Sequence, residues 1–150
     1  MSKLSRIGPK IEIPAELPRY ETLVHMLRAA VDQRPDAVAV ICEDRRVTYR
    51  QFGRATAGLA KRLGSLAGKR AALLMPNSIE MDIAVLAVMT AGGQVAPINP
   101  FFRDREYEKV IPIVEADILI ADPAHIDQAK ALAEKFGVRE VFSLGPGGDE

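Results

Sequence analysis

The chain has 150 residues, with 20 Lys and Arg set against 20 Asp and Glu, and a single cysteine. That length allows one domain able to bury roughly 70% of its unfolded surface. The zero net charge leaves no electrostatic footprint for nucleic acid, and Cys42 alone excludes an internal disulfide framework and fits a reducing, cytoplasmic setting.

Residues 1–20 carry Pro9, Pro14 and Pro18 without a clear period and read as an extended arm with no secretory leader. Thr22 is placed to cap a helix in which Leu23, Met26, Leu27, Ala30 and Val31 recur at helical spacing, and Pro35 ends it. Segments 37–42 and 46–49 predict a hairpin turning at 43–45. Thr48-Tyr49-Arg50-Gln51 is a capping box, in which the Thr48 hydroxyl accepts from the Gln51 N–H and the Gln51 side chain reaches back. Losing that cap costs about 1 kcal/mol. The helix it opens is expected to turn Phe52, Ala55, Leu59 and Leu63 inward, with Arg50, Arg54, Lys61 and Arg62 on a solvated face.

From there strands are expected near 70–75, 94–98, 117–121 and 138–142, and helices near 78–91, 105–115 and 123–136. The continuous apolar runs Ala-Ala-Leu-Leu-Met and Asp-Ile-Leu-Ile-Ala suit strands covered on both faces. The window 79–91 is shorter than the ~20 residues of a membrane span, and Asp82 interrupts it, so it reads as a buried helix. Pro112 falls inside an apolar helical pattern and predicts a kink or break near Ile111. Asp122-Pro123 reads as a cap with proline at the first helical position, and Gly137 as a stop. The expected fold is α/β: a doubly wound, mainly parallel sheet with helices on both faces, preceded by a short hairpin. It occupies 21–144, and 145–150 is read as a flexible tail.

Several chemistries find no support. The turn Pro76-Asn77-Ser78 lacks the glycines that let a pyrophosphate approach a dinucleotide fold, and 64–69 does not form a P-loop. His25 and His125 have no ligand partner at i+3 or i+4. Cys42 ends a strand and reads as packed.

The joint spacing of Thr48-Tyr49, Pro76-Asn77-Ser78, Ala91-Gly92 and Pro97-Ile98-Asn99-Pro100 resembles the early core of the adenylate-forming (AMP-binding) superfamily, in particular the acyl- and aryl-CoA synthetases. Two positions depart from the family pattern: Phe52 stands where Leu is usual, and Thr90 where Lys is common. Asn99-Pro100 looks more like the CoA ligases than the amino-acid-activating domains of peptide synthetases. The resemblance implies a parent enzyme that uses ATP, Mg2+ and CoA to turn a carboxylic acid into an acyl-adenylate and then a thioester. The family's phosphate loop, metal-meeting Thr-Glu pair, ribose-holding Asp and catalytic Lys have no counterpart before Glu150, so no catalytic residue is assigned and the chain is expected to be silent alone. The resemblance implies that Asn99, Pro100, Phe101 and Arg103 belong to the segment that in relatives can lie beside the CoA nucleotide, where Arg103 or Arg105 would reach a phosphate; the alternative reading of the same residues is a plain αβ turn with exposed charge. A fragment of this kind leaves apolar surface open to self-association; the alternative is a stand-alone, non-catalytic α/β binding or interaction module.

Overall fold

The computed structural model describes residues 18–146. Of the expected arm only 18–20 falls within that range, and of the expected tail only 145–146. Helix α1 (Leu23–Gln33) precedes an antiparallel hairpin of β1 (Val38–Cys42) and β2 (Arg45–Thr48), followed by α2 (Tyr49–Leu63). Strands and helices then alternate: β3 (Arg70–Leu74), α3 (Ile79–Thr90), β4 (Gln94–Ile98), α4 (Asp104–Val114), β5 (Ile118–Ala121), α5 (Ile126–Phe136) and β6 (Glu140–Ser143). The last four strands form one parallel sheet in the order β4-β3-β5-β6. This is the doubly wound α/β architecture with its hairpin.

Strand β3 explains why that architecture buries both faces. Ala72 and Leu74 point to one side and pack with Tyr107 and Ile111 of α4 and Ala129, Leu132 and Ala133 of α5. Ala71, Leu73 and the following Met75 point to the other, against Met81, Ala84 and Val88 of α3. Helix α3 is itself used on two sides: Ile79 and Ile83 join Leu27 and Phe52 in a third cluster beneath the hairpin. A helix covered on both sides needs little polar surface: Asp82 and Thr90 are exposed, Glu80 is paired, and the rest of its sequence is apolar.

The caps follow the expected chemistry. The His25 N–H donates to Thr22 Oγ1 at 3.2 Å, Gln51 N–H to Thr48 Oγ1 at 3.3 Å, Thr48 N–H to Gln51 Oε1 at 2.9 Å and Met81 N–H to Ser78 Oγ at 3.1 Å. Four expectations are corrected. The hairpin turns on Glu43-Asp44 alone, with Glu43 at φ 53°, and Arg45 already belongs to β2. Ala55 is exposed; Thr56 takes the buried position between Phe52 and Ala60, because the i, i+4, i+8 row faces the core. Helix α4 does not break near Ile111 but continues through Pro112 to Val114. Pro112 and Glu108, whose carbonyl loses its donor, are both exposed near the helix end, so that carbonyl stays open to solvent and the lost bond costs little. Helix α5 begins at Ile126, not Pro123: the Asp122 carboxylate accepts from the His125 N–H at 3.1 Å and closes a separate turn first.

Two glycines are required where α3 meets β4. Gly92 sits at φ +84°, and a Cβ on Gly93 would lie 2.8 Å from Leu66 Cβ and 3.1 Å from Val88 Cγ1. Neither neighbour is the loose end of a side chain. By contrast a Cβ on Gly58, within α2, meets nothing within 4 Å.

The hairpin is tied to α3 by one ion pair. Arg45 Nη2 donates to Glu80 Oε1 at 2.6 Å; the Glu80 side chain is 9% exposed and that of Arg45 46%. Burial pushes the Glu80 carboxyl up, but the Arg45 hydrogen bond, backbone N–H, Arg45 charge and Ser78 hydroxyl outweigh it and hold the group below its ordinary value.

Two stability predictions follow from this packing. Gly93→Ala lowers the unfolding free energy by about 1–3 kcal/mol through overpacking, whereas Gly58→Ala raises it by about 0.5–1 kcal/mol by favouring the helix; urea unfolding of both variants measures the contrast, and equal effects would refute it. Because the folded pKa of Glu80 is depressed, its contribution is complete above about pH 4.3 and is lost as the pH falls through the lower folded value. Glu80→Gln therefore costs about 1 kcal/mol at pH 7, solvent screening at Arg45 limiting the effect, and shows a shallower acid loss than the parent between pH 5 and 3 in the same titration.

Candidate functional site

In a parallel doubly wound sheet, loops at the carboxyl ends of the strands converge, and ligands bind where successive connections leave on opposite faces. Here that point lies between β3 and β5, since α3 covers one face and α4 and α5 the other. Three loops meet there: Pro76–Ser78 after β3, Asn99–Arg103 after β4, and Asp122–His125 after β5.

The loop after β4 is built from local bonds. Asn99 Oδ1 accepts from the Phe101 N–H at 3.0 Å, an Asx turn that reverses the chain as it leaves the sheet. The Asn99 carbonyl accepts from the Phe102 N–H at 3.3 Å and from Tyr107 Oη at 3.1 Å. Tyr107 is 1% exposed, and burial raises its pKa, so its hydroxyl stays a donor that holds the loop to α4.

The structure brings together part of the expected set. Asn99, Pro100 and Phe101 line one cavity of about 340 Å³ with Met75, Pro76 and Asn77, so the Pro76-Asn77 and Pro97-Ile98-Asn99-Pro100 motifs meet there. Pro100 is buried, whereas Phe101 is 75% exposed. Arg103 is not in that cavity. With Arg105, Glu106 and Lys109 it lines a separate, open depression of about 660 Å³. The cause is the start of α4: the Arg103 N–H donates to Glu106 Oε2 at 2.8 Å, and the backbone turns Arg103 onto the helix flank. Three cations then surround one carboxylate.

Sequence reasoning missed the pairing of His125. Its Nδ1 lies 2.5 Å from Asp122 Oδ1, both side chains being about four-fifths buried. The partner stands at i−3, and the Asp-x-x-His spacing was the signal. The Phe101 ring meets the His125 ring edge-on, with centroids 6.0 Å apart, linking the loops after β4 and β5. His25, by contrast, bonds only within its own cap, to Thr22 Oγ1 at 3.2 Å, with Glu21 at 3.8 Å.

Among the described residues, none is arranged to fit magnesium or the phosphates of ATP. Among the described residues no group of three or more His, Cys, Asp or Glu side chains is placed to hold a metal ion. Ser78 Oγ is engaged by the Met81 N–H, and the Pro76-Asn77-Ser78 turn offers no glycine-lined cradle. For a CoA phosphate the guanidiniums of Arg103 and Arg105 supply the right donors, although on the flank of α4 and apart from Phe101. No described helix is long and apolar enough to cross a membrane.

Comparison with known proteins places this geometry. The family model for AMP-binding enzyme matches residues 27–145. Malpinin synthetase from Mortierella alpina is 31% identical over 134 residues, which cover 87% of this chain and 2% of that protein. The long-chain-fatty-acid–CoA ligase of Salmonella typhimurium is 30% identical over 139 residues, which cover 87% of this chain and 24% of the ligase. Among solved structures, a long-chain-fatty-acid-CoA ligase from Archaeoglobus fulgidus superposes with a TM-score of 0.76 at 25% identity, covering 93% of this chain and 30% of that one. The chain thus spans a small part, never more than about a quarter, of the two sequence relatives. With the family model matched across most of its length and the sheet shared with a solved ligase, the chain belongs to the AMP-binding enzyme family of adenylate-forming ligases.

Proposed function

We propose that this chain is the N-terminal part of an ATP-dependent acyl- or aryl-CoA synthetase and is catalytically silent on its own. The complete enzyme joins a carboxylate to AMP with release of pyrophosphate, then transfers the acyl group to the CoA thiol with release of AMP. One observation carries the reading: a family match over 27–145 in a chain that covers only 24% of the Salmonella ligase and 30% of the Archaeoglobus one. ATP, Mg2+ and CoA belong to the complete enzyme, and this chain contributes scaffold, with 21–144 as its α/β unit between the arm and the exit segment.

The apolar residues left at the surface support a part rather than a free-standing module. Leu23 and Met26 of α1 are 49% and 46% exposed, and Val38 and Ile41 of β1 are 46% and 56% exposed. A larger cytoplasmic enzyme covers such surface; the isolated chain associates with itself through it. Asn99, Pro100, Phe101 and Arg103 then lie beside the CoA nucleotide of the complete enzyme, with Arg103 and Arg105 on the phosphate side.

Pyrophosphate release is the direct test. The 150-residue chain, given Mg-ATP and a panel of aliphatic and aromatic carboxylic acids, shows no turnover above the protein-free rate; acid-dependent release would overturn the proposed silence. In a complete ligase carrying this segment, Arg103→Gln with Arg105→Gln raises KM for CoA several-fold and leaves acid-dependent pyrophosphate release unchanged. An unaltered KM would remove these residues from the CoA site.

A further inference from the structure

Helix α2 and the strand before it concentrate one sign of charge. From Arg45 to Leu63 the chain carries Arg45, Arg46, Arg50, Arg54, Lys61 and Arg62 and neither Asp nor Glu, although the whole chain is formally neutral. Each of the other described helices holds at least one acidic residue. The helix itself does not call for this pattern. Lys61 and Arg62 in the last turn suit the negative end of its dipole, but the first turn, where a carboxylate would be favoured, holds Arg50 instead.

Folding gathers the charges on one side. Phe52, Thr56 and Ala60 face the core. At about 100° per residue, Arg50, Lys61, Arg54 and Arg62 fall within an arc of about 120° on the opposite side. Arg46 joins them from β2: with Arg54 and Arg62 it lines a half-open groove of about 1060 Å³ beside the helix. Arg45 and Arg50 are neutralised, by Glu80 at 2.6 Å and by Asp36 at 3.1 Å. None of the ion pairs among the described residues uses Arg46, Arg54, Lys61 or Arg62, and all four are exposed. Between them stand Ala55, Ala57 and Gly58, exposed and too short to hold a partner away from the cations.

The spacing selects the kind of partner. Arg54 and Arg62 are about 12 Å apart along the axis, so no single phosphate or carboxylate reaches both. A protein partner would need a seat for an apolar anchor, and Ala55, Ala57 and Gly58 on the crest of the helix provide none. The cations also spread in two directions, about 18 Å along α2 and across to β2, which matches a plane of negative charge better than a single line of phosphates.

We propose that this face docks the protein on an anionic phospholipid surface. Clustered Lys and Arg are drawn to the negative potential of such a surface within about a Debye length, and none of them needs a fixed register. The apolar side of α2 is already buried in the core, so the helix lies on the headgroups without inserting, and attachment is reversible and salt-sensitive. A neutral chain is attracted only because its charges are segregated, its surplus of acidic residues lying outside 45–63. The inference goes beyond the ligase reading and does not rest on it, since none of these residues is assigned to that chemistry.

Sedimentation of the full chain with sucrose-loaded vesicles is the test. Vesicles of phosphatidylglycerol mixed with phosphatidylcholine hold the chain at about 0.02 M salt and release it at about 0.5 M, where the screening length falls from about 20 Å to about 4 Å. Phosphatidylcholine alone does not hold it. Arg54→Gln/Lys61→Gln/Arg62→Gln weakens partitioning about a hundredfold, close to fivefold for each cation, with unchanged circular dichroism. Arg54→Lys/Arg62→Lys keeps it. Arg28→Gln/Lys130→Gln/Arg139→Gln removes as much charge elsewhere and weakens partitioning less than about fivefold. Equal binding to neutral vesicles, retention by the α2 triple variant, or equal losses in the two triple variants would overturn the proposal. Release by inorganic phosphate at matched ionic strength would mark a simple anion site, and tighter binding of polyglutamate or duplex DNA a soluble polyanion; either outcome sinks the membrane assignment. Pyrophosphate release reads none of these outcomes, so the two proposals fail separately.

Discussion

Burial of α3 on two sides is the constraint on which the remaining architecture depends. Met81, Ala84 and Val88 seal one face of β3, and Ile79 and Ile83 hold α1, α2 and the hairpin to the same helix. Without α3 the hairpin layer and the sheet would have no common core. The consequence is tight tolerance around it: Gly93 packs against both Leu66 and Val88, and Ser78 must cap a helix whose first turn contains the buried Glu80. A carboxylate at that depth is held ionised chiefly by Arg45, which crosses from the hairpin to meet it, with help from the backbone N–H and the Ser78 hydroxyl. The same pair thus fixes the hairpin's position and gives the layer a dependence on pH.

The sheet's carboxyl edge and the arginine groove show two different uses of that scaffold. At the edge, the loops after β4 and β5 are joined by the Phe101–His125 contact and braced from beneath by Tyr107. The chemistry there is sparse: one Asp–His pair, one asparagine turn and an exposed aromatic ring. A half-open groove elsewhere is lined by β2, α2, the start of α3 and the segment after β6, with Arg45, Arg46, Arg54 and Arg62 among its lining residues. Its charge comes from the hairpin and α2, the layer that α3 holds in place.

Legibility differed between fold and site for a physical reason. Elements were readable because each rests on local signals. Thr48 and Gln51 are three residues apart and cap one another wherever the chain goes, and the alternating strands and helices carry their periods within short windows. Boundaries slipped where two local signals competed. Asp122-Pro123 announces a helix start, yet the Asp122 side chain closes a turn to His125 and delays the helix to Ile126. Pro112 announces a break, yet its place close to an exposed helix end makes the lost bond cheap. The site was less legible. Asn99, Pro100 and Phe101 were grouped by their position in the family motif, and they line one cavity. Arg103, two residues further on, is carried onto the flank of α4 by a helix start that adjacency does not register.

Patterning along the chain was enough to establish the α/β class, the parallel sheet and the caps, because these follow from backbone hydrogen bonding and hydrophobic period over neighbouring residues; the family was legible only through the likeness of its motifs to those of known proteins. Which surfaces face one another was settled by folding. The meeting of Arg45 with Glu80, of Phe101 with His125, and of Arg54 and Arg62 with Leu144 spans separations of 24 to 90 positions along the chain. No periodicity reaches so far; such contacts come into being when α3 packs on both sides at once and draws hairpin, helices and sheet into one body.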